Sequence, residues 1–146
     1  MDRIGSHKDL IVWQKSVALA CKVYAASRSL PSDERSGLQC QLRATAVAVA
    51  SRIAEGHASQ GRAQFIQSLF ASRRSLAELE TLYLIARNLA PLDDVTATLE
   101  EIQTVARLLN GLIRSLVSSD RAAHARACAP QPLTTGRPPH PPRTHT

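Results

Sequence analysis

Residues 65–86, FIQSLFASRRSLAELETLYLIA, decide the fold. Phe65, Leu69, Ser72, Leu76, Leu79, Tyr83 and Ala86 recur at alternating steps of four and three, which places them on one stripe of an α-helix. Such a stripe is stable only when it is buried against a neighbouring element. Toward the C-terminus, Pro91 ends this helix and Asp93 or Asp94 is expected to cap another. There Val95, Leu99, Ile102, Ala106, Leu109, Ile113 and Leu116 repeat the alternation. Toward the N-terminus, Leu38, Leu42, Thr45, Val49 and Ile53 mark a helix that Gly56 is expected to terminate, with Ser59 or Gly61 opening the next.

The first helix is read from Leu10, Trp13, Val17, Ala20 and Tyr24, with Asp9 as its N-cap. Leu30-Pro31 closes it, because proline pushes the preceding residue out of helical backbone, and Ser32, Asp33 and Glu34 offer a fresh start. Four amphipathic helices on short connections predict an all-α fold, an antiparallel four-helix bundle. A second apolar row, Ile66, Leu82, Ile85 and Leu89 on the third helix and Val105, Leu108 and Leu112 on the fourth, is wider than one core requires. It is read as a homo-oligomer interface, the alternative being a generous core.

The chain of 146 residues has room for one such domain. Residues 1–8 read as a flexible lead and 9–118 as the bundle. Residues 119–146 hold six of the eight prolines and the run Arg137-Pro-Pro-His-Pro-Pro-Arg143, the composition of a disordered or polyproline tail. The start, Met1-Asp2-Arg3, lacks the apolar stretch of a secretory signal and no run is apolar for the roughly 18 residues of a membrane span, so a cytoplasmic protein is expected. In that compartment Cys21, Cys40 and Cys128 are expected reduced. Cys21 and Cys40 flank Pro31 at similar distances, yet buried free thiols are the reading preferred to a bridge.

Net charge is +6, which favours a polyanionic partner. Within residues 35–74 lie Arg35, Arg43, Arg52, Arg62, Arg73 and Arg74 against a single carboxylate, Glu55. The second helix and the front of the third are thus the basic part of the body, and these six arginines are the candidate nucleic-acid contacts.

Three stretches are more specific than the bundle pattern. Asp9-Leu-Ile-Val-Trp-Gln-Lys15 opens the first helix, Gln41-Leu-Arg43 leads to Ile53-Ala-Glu-Gly56 in the second, and Ser75-Leu-Ala-Glu-Leu-Glu80 lies in the third. Together they resemble the four-helix-bundle family of 23S ribosomal RNA intervening-sequence proteins over about residues 7–117. The resemblance implies a left-handed antiparallel bundle, a homo-oligomer that is a pentameric ring in close relatives, and an association with nucleic acid. It leaves the molecular role open. This chain departs from the family pattern at Ala44, Ala48 and Arg52 of the second helix, where polar residues are usual, and at Arg74, where glycine is usual. Two lost polar groups and two gained arginines would make any site there more electrostatic.

The motif residues Trp13, Gln41, Glu55, Gly56, Ser75, Glu78 and Glu80 are read as structural. Trp13 is expected as a core anchor, with a stacking platform for a base as the alternative. Glu55 stands near the C-terminal end of its helix, where the dipole disfavours a carboxylate, and is expected to pair with Arg52 or an arginine from elsewhere. Arg43 is expected to face a groove or interface, with a solvated side chain equally open, and Arg74 is expected to pair with Glu78. His57 is expected in a solvated loop. There is no phosphate-binding loop, nucleophile motif, metal-ligand spacing or Glu-x-x-His repeat, so no enzyme, cofactor or metal is expected. RNA or an RNA-associated protein is the expected partner, and a protein-interaction scaffold is the alternative.

Overall fold

The computed structural model describes residues 5–130, and among these the regular structure is entirely helical. The four long helices are α1 (Ile11–Ser27), α2 (Leu38–Ala58), α3 (Arg62–Leu89) and α4 (Val95–Ala127), with 3-10 turns at His7–Asp9 and Ser32–Glu34. Thr45 approaches Glu78, Val49 receives a hydrogen bond from Ser72, and Gly56 abuts Ser68. As one helix number rises the other falls, the register of antiparallel neighbours. Arg62 to Leu116, Arg73 to Asn110 and Glu80 to Gln103 give α3 and α4 the same relation.

The core is aliphatic, with Leu19, Val23, Leu42, Val49, Ile53, Leu69, Leu79, Ile102 and Leu109 all at most 1% exposed. The stripes expected on α2 and α3 lie on the core side, with Leu38 and Phe65 at its edge. On α4 the centre of the stripe moves to Thr98, Ile102, Val105, Leu109 and Ile113, while Leu99, Ala106 and Leu116 pack on its flank.

On α1 the expectation is corrected. The buried row is Val12, Ser16, Leu19, Val23 and Ala26, whereas Val17 and Tyr24 are 36% and 40% exposed. The two rows are one residue apart and share the three-four alternation. Ser16 made the buried row read as polar, but its hydroxyl donates to the Val12 carbonyl at 2.6 Å and is satisfied within the helix.

The helix ends also differ. Ser6, not Asp9, caps the first turn, accepting from the Lys8 N–H while Asp9 accepts from the Ser6 N–H, and α1 then starts at Ile11. The Glu34 carboxylate accepts from the Leu38 N–H and so caps α2 from a turn away. Gly56 does not end α2. It is buried two residues before the helix finishes at Ala58, and Gly61, at φ +124, is the residue that makes the turn into α3. α4 continues to Ala127, nine residues beyond the boundary expected at 118, and its residues from Arg121 onward are exposed. The proline-rich run 137–143 lies outside the described residues. The cysteines are free, but Cys21 and Cys40, expected as buried thiols, are exposed, as is Cys128.

Candidate functional site

The six arginines do not converge on one point. Arg35 is exposed beside the α1–α2 connection, and Arg74 is exposed on α3. Arg43 reaches across to the end of α1, its Nε donating to Ser27 Oγ at 2.9 Å and its Nη2 to the Tyr24 carbonyl at 3.4 Å, with the guanidinium 4.8 Å over the Tyr24 ring. Gln39, two residues before the expected Gln41, donates to the Ser27 carbonyl at 2.8 Å. Together they satisfy carbonyls at the negative end of α1's dipole and fix the α1–α2 hairpin. Gln41 itself is exposed.

Arg52 donates to Ser75 Oγ at 3.2 Å, joining α2 to α3, and leaves Glu55 exposed without an ion-pair partner among the described residues. The expected Arg52–Glu55 pair is corrected: the arginine, though exposed, reaches across to the neighbouring helix. The Arg74–Glu78 pair is corrected likewise, since Glu78 faces Thr45 on α2 at 3.5 Å. Arg73 donates to Asn110 of α4 at 3.3 Å and lies 4.8 Å over Phe70. Arg62 pairs with Asp120 at 2.8 Å. Glu80 accepts from Gln103 at 2.9 Å.

Arg62–Asp120 and Lys22–Glu101 are the only ion pairs among the described residues. The hydrogen bond that the Lys22 ammonium donates to Glu101 holds the lysine's pKa above its ordinary value, and nearby Asp94 adds to it. Five of the six candidate arginines are therefore held by neutral acceptors, or by none. A hydroxyl or carbonyl orients a guanidinium without cancelling its charge.

A groove of about 680 Å³ lies between α1 and α2, and sequence reading missed it. Trp13, Val17 and Tyr24 of α1 face Val47 and Ala54 of α2 across it, with Arg28 at one end. Trp13 is half-buried on the core's edge, not an enclosed anchor, and meets His7 edge-to-face at 5.0 Å. His57 is not in a solvated loop. It is half-buried in the last turn of α2, with its ring 5.7 Å from Phe65 and 6.4 Å from His7. A smaller cleft of about 410 Å³ adjoins the groove through Arg28 and is lined also by Arg35 and Arg43. The available signal was the doubled apolar row on α1, Trp13-Val17-Tyr24 beside Val12-Leu19-Val23, wider than one core face needs.

The family model for 23S rRNA-intervening sequence proteins matches residues 8–111. The chain belongs to this family. The matched span takes in α1, α2, α3 and about the first half of α4, so it covers the arginine cleft, all six candidate arginines and the helical walls of the groove, and leaves out the second half of α4. No curated protein matches the chain. Among the described residues of this family member, no group of three or more His, Cys, Asp or Glu side chains could hold a metal ion, and no helix is long and apolar enough to cross a membrane.

Proposed function

We propose that this intervening-sequence protein works by binding and not by catalysis, associating in the cytoplasm with RNA or ribonucleoprotein through its arginine-bearing helix faces. The observation that carries the reading is that Arg35, Arg43, Arg52, Arg73 and Arg74 retain uncancelled charge, although Glu55 and Glu78 stand at spacings that could neutralise Arg52 and Arg74. Guanidinium groups fixed by neutral bonds are preorganised for phosphate oxygens. The family description, which ties these proteins to intervening sequences of 23S rRNA, agrees with that chemistry.

The active form we propose is a homo-oligomer, a pentamer by its family resemblance. Support comes from α3, where Ile85 and Leu89 are 45% and 58% exposed on one helix face. The rest of that expected row is mainly core: Val105 is buried, and Leu82, Leu108 and Leu112 pack against the buried cluster. The same exposed pair favours the second reading, a scaffold that docks another protein.

Purification of the tagged protein from its own cells at low salt, with and without ribonuclease, tests the proposal. RNA enriched in the eluate and lost at high salt is the expected result. A clean oligomer free of nucleic acid overturns it. Substituting Arg43, Arg52, Arg73 and Arg74 by Glu abolishes RNA association under the first reading and spares partner capture under the second.

A further inference from the structure

The groove and the cleft meet at Arg28, and their chemistries are complementary. On one side lie flat or apolar side chains, Trp13, Val17, Tyr24 and Val47; on the other lie three guanidinium groups, Arg28, Arg35 and Arg43. No carboxylate lines either cavity. Of the two nearby acids, Glu34 is turned to the Leu38 N–H and Asp33 is exposed. Trp13 and Tyr24 are eleven residues apart on one helix, about 16 Å along its axis. Arg43 covers one face of Tyr24, which remains 40% exposed in the groove.

From this juxtaposition we propose that the α1–α2 groove is a single-stranded nucleic-acid site, with unstacked bases against Trp13 and Tyr24 and the adjoining phosphates in the Arg28–Arg35–Arg43 cleft. A duplex hides its base faces and offers only phosphates, whereas a single strand presents both chemistries together, and aromatic stacking with a basic flank is how such strands are held. A purely apolar ligand would leave the three guanidinium groups unused. A second copy of the bundle, laid along the groove, would have to supply carboxylates to the cleft. The inference rests on the RNA-binding reading, and adds to it the place and the single-strand preference.

Trp13 is the sole tryptophan, so the intact protein carries its own probe. The experiment titrates full-length protein with a fluorescently labelled 12-nucleotide RNA of mixed sequence, single-stranded or annealed to its complement. It reads Trp13 emission and RNA anisotropy for the native chain and for Tyr24→Leu, Arg28→Ala and Arg35→Ala. Arg28 and Arg35 are exposed, and their side chains make no hydrogen bond or ion pair among the described residues, so their replacement leaves the bundle intact. The expected result is quenching of Trp13 by the single strand alone, with binding weakened about tenfold in each variant. Equal binding of strand and duplex, unchanged in all three variants, overturns this site while the wider RNA reading stands. Absence of any RNA binding removes both. Trp13 emission that shifts with protein concentration in the absence of RNA assigns the groove to a second copy and overturns the proposal as well.

Discussion

A methyl group on Gly56 would sit 2.4 Å from Cβ of Ser68 and 3.2 Å from the Phe65 ring, because α2 and α3 close to contact at that point. The glycine is there for want of space, not for backbone freedom. Gly56→Ala is therefore expected to destabilise the fold by about 1–3 kcal/mol, the usual cost of overpacking, despite alanine's better helix propensity. Gly111, inside α4 with nothing within 4 Å of its would-be Cβ, is the control. There the same substitution gains about 0.5–1 kcal/mol from propensity alone. Urea denaturation of the two variants reads both signs, and equal shifts would show that the helices do not meet at Gly56. Tyr83 poses a different question: the residue is 1% exposed, and its hydroxyl has no hydrogen-bond partner among the described residues. Burying an unpaired hydroxyl is costly, so Tyr83→Phe is expected to leave stability unchanged or raise it by up to about 1 kcal/mol. A loss of that size in thermal or chemical unfolding would mean that the oxygen is satisfied after all.

At the level of the helices, the sequence is most legible where one apolar row stands alone. α2 buries the residues its spacing names, because the rows flanking them are mostly polar or small, and α3 does so by its unbroken four-three repeat, although Ile66, Leu82, Ile85 and Leu89 stand beside it. α1 carries two apolar rows side by side, and composition cannot rank them. The decision depends on Ser16, whose satisfied hydroxyl makes it tolerable in the core, and that satisfaction shows only in the geometry. The ion pairs were illegible for a related reason. Spacing along one helix suggested Arg52–Glu55 and Arg74–Glu78, but Arg52 and Glu78 find their partners on neighbouring helices, which no single-helix rule can see. The large apolar residues of α4 stop at Val117, so their spacing ends the bundle at 118. Ala122, Ala123, Ala125 and Ala127 then keep the backbone helical without packing on anything. A chain ended after Asp120 keeps the Arg62–Asp120 pair, and its melting temperature is expected to match that of the full chain within about 2 °C. A larger fall in differential scanning calorimetry would show that the projecting segment is held. Lys22–Glu101 ties α1 to α4. A lysine raised in the folded state stabilises fully below its ordinary value of 10.5, and that stabilisation is lost as pH rises through the folded value. Melting temperatures at pH 8 and 11 should therefore converge between the native chain and Glu101→Gln. The gap at pH 8 is expected to be small because both side chains are partly exposed.

For the molecule as a whole, the question is how a body with so modest an excess of positive charge could hold a polyanion. Outside residues 120–146 the arginines and lysines exceed the carboxylates by only three, and Arg73 lies toward α4 while Arg35 and Arg43 lie toward α1. One copy thus offers several weak patches. Association through the exposed face of Ile85 and Leu89 would repeat each patch around the assembly, so that one RNA meets several at once and its apparent affinity multiplies without any new contact. Ile85→Gln with Leu89→Gln separates this effect from charge, because glutamine keeps the helix and adds no carboxylate to repel RNA. The double variant is expected to elute with the mass of a single chain in light scattering and to bind a long single-stranded RNA at least about tenfold more weakly than the native protein. Its affinity for a 12-nucleotide strand, short enough to engage one copy, is expected to stay within about twofold. A variant that keeps the native mass removes this face from the assembly. One that falls to a single chain yet holds the long RNA unchanged would show that each copy binds by itself, through contacts complete within one bundle.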